Sequence, residues 1–167
     1  MDKSFFGSLK EVIITNTVIR KFEPNDEKQV KELILSILSN EYPFDKKAYS
    51  DSDLNNIAGT YSGERDMFLV LDMDGSVIGT VGVKEESTDA ALIRRLFVLG
   101  MHRGKGYGKK LIEEAITYCA SKNYKHIVFQ GTNRMVQAIE LCKKRGFKEK
   151  EHIDMGGFSI YKFVLDL

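Results

Sequence analysis

One segment limits the folds open to this chain more than any other. A β-rich run, Ala91-Leu92-Ile93 and Leu96-Phe97-Val98, passes through a glycine-rich turn, Arg103-Gly104-Lys105-Gly106-Tyr107-Gly108, into a helical pattern. Leu111, Ile112, Ala115, Ile116, Cys119 and Ala120 repeat with the period of a helix. Glycines without Cβ let the backbone curl so that successive N–H groups converge on one point. The helix that follows adds the positive end of its dipole. Arg103, Lys105 and Lys109 bring full positive charges. Together these features fit a pyrophosphate, whereas the loop alone would also suit a surface turn with solvated cations. Two other phosphate loops are disfavoured. Gly108-Lys109 is followed by Lys110 rather than by a hydroxyl residue that could hold magnesium. The dinucleotide pattern G-x-G-x-x-G starts at Gly104 and Gly106 but meets Lys109 at its third glycine.

The rest of the pattern surrounds this unit. Val12-Ile13-Ile14 and Val18-Ile19 are β-branched and predict a strand reaching about Phe22. Pro24-Asn25-Asp26-Glu27 opens a helix with acids at its positive end. Val30, Leu33, Ile34, Ile37 and Leu38 form one apolar face of it. A second, weaker helix is expected from Asp51 to about Ser62, after a link that carries Tyr42, Phe44 and Tyr49. Phe68–Leu71, Asp74-Gly75 and Val77–Val83 read as a hairpin. His126–Phe129 is a short buried strand, Met135 to about Lys144 a helix with Gly146 at its cap, and 147–153 and 158–165 two last strands. The order β-α-α-β-β-β-α-β-α-β-β implies a mixed α/β (α+β) sheet with helices on both faces.

The chain has 167 residues, a length suited to one domain, 1–167. Hydrophobic residues at 43% permit a packed core, and a net charge of +1 gives no bulk pull toward nucleic acid or a membrane surface. Two cysteines and three histidines are spread too widely for a zinc site, so no metal is expected. No stretch approaches the roughly 18 apolar residues of a membrane span. With no leader-like start and no disulfide framework, the expected location is cytoplasmic.

Three blocks in order resemble the Gcn5-related N-acetyltransferase (GNAT) family. The loop matches the signature R/Q-x-x-G-x-G/A as Arg103, Gly106 and Gly108. Arg95-Leu96-Phe97-Val98 looks like the strand that leads into it. Ala138-Ile139-Glu140-Leu141-Cys142-Lys143-Lys144-Arg145-Gly146-Phe147 is similar to the second half-signature, A-I-x-L-Y-x-x-x-G-F. The resemblance, which spans about Val18 to Leu165, implies a mostly antiparallel sheet splayed open at an acyl-CoA cleft. It implies acetyl-CoA as co-substrate and a primary amine, on a small molecule or a peptide, as acceptor. Backbone groups of Leu96, Phe97 and Val98 would pair with the pantetheine arm. Backbone N–H groups across Arg103, Gly104, Lys105, Gly106, Tyr107, Gly108 and Lys109 would hold the pyrophosphate. A backbone N–H near Phe97 or Val98 would polarise the thioester carbonyl, and the amine would attack directly with both substrates bound. The protein would act as a monomer or a homodimer. An acyl-CoA-binding module with little or no catalysis is the competing reading, and a nucleotide-binding protein using the same loop is a third.

The chain departs from the family pattern at several positions. Cys142 stands where relatives carry a tyrosine proposed to protonate the leaving thiolate, so it is either a weak general acid or a small residue on an inward helix face. Leu92 occupies the position of a frequent glutamate base, and Glu85, Glu86 and Asp89 read as solvated hairpin carboxylates. Met135 replaces an asparagine, with Asn133 two residues earlier, and Gly100 replaces a proline. Lys143-Lys144-Arg145 either meets a CoA phosphate or merely favours the helix C-terminus. Strand alternation lets only one of Arg94 and Arg95 face the cleft, and His102 reads as a surface residue. Tyr42, Phe44 and Tyr49 either border the acceptor pocket or simply pack.

Overall fold

The computed structural model describes residues 16–43 and 51–167. The expected strand start at Val12–Ile14, and Phe44 and Tyr49 in the link, lie outside the described residues. The strands are β1 (Thr17–Lys21), β2 (Met67–Met73), β3 (Ser76–Glu85), β4 (Ala90–Val98), β5 (His126–Thr132), β6 (Lys148–Asp154) and β7 (Ser159–Asp166). The helices are α1 (Glu27–Glu41), α2 (Ile57–Thr60), α3 (Tyr107–Ser121) and α4 (Val136–Lys144). Among the described residues the strands form one sheet in the order β1-β2-β3-β4-β5-β7-β6. Every neighbouring pair is antiparallel except β4 and β5. The expected mixed, mostly antiparallel sheet with helices on both faces is what forms.

Alternation along β2 explains why both faces are covered. Met67, Leu69 and Leu71 point into a core shared with Leu111, Ile112 and Ala115 of α3. Phe68 and Val70 point the other way, into a core with Val30, Leu33, Ile34 and Ile37 of α1. The β2–β3 hairpin turns at Asp74 and Gly75, with φ of 51° and 92°, the doubly left-handed turn that Asp-Gly favours. Helix α4 ends as its sequence foretells: Gly146 has φ 97°. Its N–H donates to the Lys143 carbonyl, and the Phe147 N–H reaches back to the Cys142 carbonyl.

The region expected to form one helix from Asp51 to Ser62 does not. It divides into a 3-10 turn, Ser52–Asn55, and the single turn α2. Asn56 interrupts them with a non-helical backbone (φ −156°, ψ 71°), and its side chain accepts from the Gly59 N–H at 3.0 Å. An asparagine that can cap a new turn competes with continuation of the old one. The break lets Asp53 and Tyr61 both point toward the sheet, where they are buried.

Gly82 on β3 permits that close approach. A Cβ there would lie 2.9 Å from Tyr61 Cε1 and 3.2 Å from Phe68 Cδ2. Gly82→Val is expected to destabilise the fold by about 1–3 kcal/mol through overpacking. Urea unfolding checks this, and an unchanged midpoint would mean that the Tyr61 ring moves aside freely.

Candidate functional site

The site begins where two strands stop pairing. β4 and β5 run parallel and in register from Ala90↔His126 to Ile93↔Phe129, and no farther. Beyond Phe129, β5 stays with β7 through Gln130, Gly131 and Thr132, while β4 stays with β3 at Phe97 and Val98. The edge of β4 from Arg94 to Val98 is therefore left without a strand on its β5 side. A bulge marks the same point: Gly82↔Arg94 is followed by Thr80↔Phe97, so two residues of β4 oppose one of β3. Arg95 takes φ 55°, a left-handed conformation that costs a non-glycine residue about 1–2 kcal/mol.

Side-chain contacts hold that bulge. Arg95 Nε and Nη2 donate to the two carboxylate oxygens of Asp53 at 3.0 and 2.6 Å. Tyr61 OH donates to Asp53 Oδ2 at 3.0 Å, and Thr80 Oγ1 donates to the Arg95 carbonyl at 2.7 Å. The Arg95 and Asp53 side chains are only 4% and 3% exposed. Burial pushes against the Asp53 charge, but the Arg95 fork and the charges of Arg95 and Arg94 outweigh it and hold the carboxyl below its usual range. Burial and the Asp53 charge raise the Tyr61 phenol, which stays protonated as the donor. The bulge also overrides the expected alternation of Arg94 and Arg95. Both line the same cavity, and both guanidinium groups approach Asp53.

The glycine loop faces the opening from the α3 side. Gly104 and Gly106 have φ of 77° and 83°. Among the described residues, the N–H groups of Gly104, Lys105, Gly106, Tyr107, Gly108 and Lys109 have no backbone acceptor, and the first turn of α3 closes with Lys110 N–H to Gly106 O at 3.1 Å. Six unpaired donors in sequence at a helix N-terminus make an anion cradle. Arg103 differs from this set. Its N–H donates to the Gly100 carbonyl, Nε donates to the Val98 carbonyl at 2.8 Å, and its fork grips the Glu41 carboxylate, Nη2 to Oε2 at 2.8 Å. Its charge is thus spent on tying the loop to the end of α1 and to β4.

Loop, opened strands and α4 enclose a cavity of about 760 Å³. Leu96, Phe97, Val98, Arg103, Gly104, Gly106, Tyr107, Gly108 and Lys109 all line it; of the residues proposed to bind cofactor, Lys105 does not. Apolar surface from Met135, Ala138 and Leu141 lies across from β4. Lys144 lines the cavity, while Lys143 lies over the Phe163 ring and Arg145 pairs with Glu113 at 3.1 Å. Tyr42 and Leu92 are on the wall. Glu85 instead pairs with Arg65, and Asp89 with Lys125. Asn133 is bound to Ser159 at the start of β7, its Oδ1 accepting from the Ser159 N–H at 3.0 Å. Cys142 does not line the cavity. Its thiol is fully buried in the α3–α4 core, and burial pushes it up to about 12.

The wall also holds residues that the sequence does not point to, Gln130 and Thr132 among them, and His102, which it places at the surface. His102 is half-buried with an unpartnered Nδ1 rather than on the open surface. Gln130 and Thr132 belong to the part of β5 that β4 has left. The switch from Val128-Phe129 to Gln130 was the available signal, a polar residue in an apolar strand.

Comparison with known proteins identifies the family and the fold. The Acetyltransferase (GNAT) family description matches residues 31–147. YjgM of Escherichia coli (strain K12), an uncharacterized N-acetyltransferase, is 27% identical over 143 residues, which is 82% of this chain and 83% of that protein. A GNAT-family acetyltransferase structure from Staphylococcus aureus superposes with a TM-score of 0.80 at 21% identity, covering 91% of this chain and 99% of the other. The yncA structure from Salmonella typhimurium, determined with its cofactor acetyl-CoA, gives 0.75 at 18%, covering 90% and 94%.

Asp53→Asn leaves Arg95 buried without its counter-charge. The expected loss is about 3–5 kcal/mol at neutral pH. Because the folded carboxyl lies below its unfolded value near 4, this stabilisation is present above that value and fades as pH falls through the folded one. Denaturant unfolding of both proteins from pH 7 to pH 3 tests this: the difference between them narrows toward the acid end. A difference that stays constant with pH would show that the pair carries no linkage.

Proposed function

The chain belongs to the GNAT acetyltransferase family, and from that premise we propose that it transfers the acetyl group of acetyl-CoA to a primary amine by direct attack, with 1–167 acting as one catalytic domain. The observation that carries the reading is the coincidence of unpaired amides at 104–109 with the unpaired β4 edge at 94–98, on one continuous cavity.

The residues present fit the co-substrate. Amides of Gly104 to Lys109 would hold the diphosphate, with Lys109 and Lys144 adding charge at its flank. The edge of β4 at Leu96, Phe97 and Val98, where the Val98 carbonyl already accepts from Arg103 Nε, would bind the amide-bearing arm as a neighbouring strand does. Met135, Ala138 and Leu141 would exclude water along it. When bound, acetyl-CoA supplies the thioester whose carbonyl carbon takes the amine. A backbone N–H near Phe97 or Val98 would donate to the carbonyl oxygen as charge builds there. Holding two substrates in one cavity removes much of the entropic barrier.

The two positions where relatives carry an acid and a base supply neither here. Leu92 offers no base, and Glu140 is the one carboxylate among the described cavity residues. We read Cys142 as a packing residue: a thiol held near 12 and away from the cavity is a poor donor to a leaving thiolate. Solvent would then protonate the thiolate and relieve the ammonium. The absence of an acid at Cys142 and of a base at Leu92 favours, as the second reading, a module that binds acyl-CoA without turning it over.

One experiment separates the two. Release of free thiol from acetyl-CoA is followed across a broad amine panel, with acetyl-CoA binding measured by calorimetry in parallel. Turnover with at least one amine, binding weakened at least tenfold by Gly106→Val, and Cys142→Ala within about tenfold of wild-type turnover are expected. Tight binding with no release from any amine would favour the non-catalytic module. A loss above about a hundredfold in Cys142→Ala with affinity intact would restore Cys142 as an acid.

A further inference from the structure

The charges on the cavity wall can be assigned one by one. Arg95 is spent on Asp53, and Arg103 on Glu41. Lys109 and Lys144 lie on the α3 and α4 side, where a diphosphate would be held. Arg94 remains. Its closest acid is Asp53, with Nη2 3.9 Å from Oδ1, beyond hydrogen-bond reach, and both Asp53 oxygens already accept from Arg95 or Tyr61. The Arg94 side chain is 30% exposed, and among the described residues its guanidinium makes no hydrogen bond.

Its position gives this cation a use. The last β4–β5 pair is Ile93↔Phe129, so Arg94 and Gln130 are the first residues past the fork, one on each strand. Both line the cavity. Residues at matched register point to one face of a sheet. For Arg94 that face is the α1 side, because its neighbour Asp53 sits beside Leu54, which packs against α1. The loop and α3 lie on the opposite side. An acceptor must therefore enter from the α1 side, past Arg94.

We propose that the acceptor is an amine that also bears a carboxylate, an amino acid or a compound built like one, and that Arg94, faced by Gln130, receives that carboxylate. This rests on the transferase reading above. A planar guanidinium with free donors matches a carboxylate in fork geometry, and an amide N–H₂ across the fork adds a further donor. The same charge disfavours a polyamine, whose second ammonium would meet two arginines, Arg94 and Arg95, that share the single carboxylate of Asp53.

The test uses matched pairs: amino acids against the amines lacking only the carboxylate, and against their amides, with putrescine and spermidine included. Each is assayed for thiol release with wild-type protein, Arg94→Ala and Arg94→Lys. Wild type is expected to prefer the acid in each active pair. Arg94→Ala should lower kcat/KM for acids about 100-fold or more, mainly through KM. Its effect on decarboxylated amines should be at least tenfold smaller than on their acid partners, and Arg94→Lys should recover part of the loss. Amines without a carboxylate reacting as well as or better than their acid partners would overturn the proposal. If no amine of any kind releases thiol while acetyl-CoA binds, the transferase reading fails, and the site is judged by binding alone. N-acetylamino acids should then bind the CoA-loaded protein more tightly than their amides, and that preference should vanish in Arg94→Ala. Equal binding of acids and amides would refute it.

Discussion

The ion pair between Arg95 and Asp53 sits at the point on which the rest of the structure turns. A non-glycine residue at φ 55° inside a strand is unfavourable by itself. It persists here because a buried carboxylate takes both ends of its guanidinium and Thr80 takes its carbonyl. With that residue fixed, β4 bends, its ladder with β5 ends at Ile93, and the sheet opens. Asp53 reaches the strand only because Asn56 breaks the helical run that the surrounding sequence would otherwise continue. A local capping preference and a long-range ion pair thus combine to open a cleft in a sheet whose strands would gain by staying paired.

Every feature proposed to bind acetyl-CoA is exposed by that opening or by the loop beside it. Unpaired amides are costly when buried and useful when a ligand can satisfy them. The cavity presents two sets, one at the start of α3 and one along β4, and only residues 99–103 separate them in the chain. Arg103 links the two: it bonds the Val98 carbonyl on β4 and the Glu41 carboxylate at the end of α1. In this role the arginine of the loop motif organises the cleft, and the backbone is left to meet the phosphates.

Legibility in the sequence followed the range of the interactions. Helix α1, the Asp74-Gly75 hairpin, the Gly146 cap and the glycine loop are dictated by residues close in the chain, and the sequence alone predicts each of them. The bulge is different. Arg94 and Arg95 read as alternating strand residues because nothing adjacent reveals that Asp53, 42 positions earlier, will capture one of them. The same limit explains His102, which local sequence places at the surface and tertiary packing half-buries. Cys142 was ambiguous because a helix face cannot be assigned to core or cleft until its neighbours are known; the structure places it among Leu111, Ile139 and Phe163. The acceptor side is the least legible, since Arg94 and Gln130 come to flank the fork only through the register of β4 against β5, whose last pair is Ile93↔Phe129.

The central claim is that the loop amides and the free β4 edge are two halves of one CoA site. Amide chemical shifts of isotopically labelled protein, followed during titration with CoA and then with inorganic pyrophosphate, address it directly. CoA should shift both 104–109 and 94–98 along one binding curve, while pyrophosphate should shift 104–109 alone. A CoA titration that leaves either segment unmoved, or moves them with different affinities, would contradict the account.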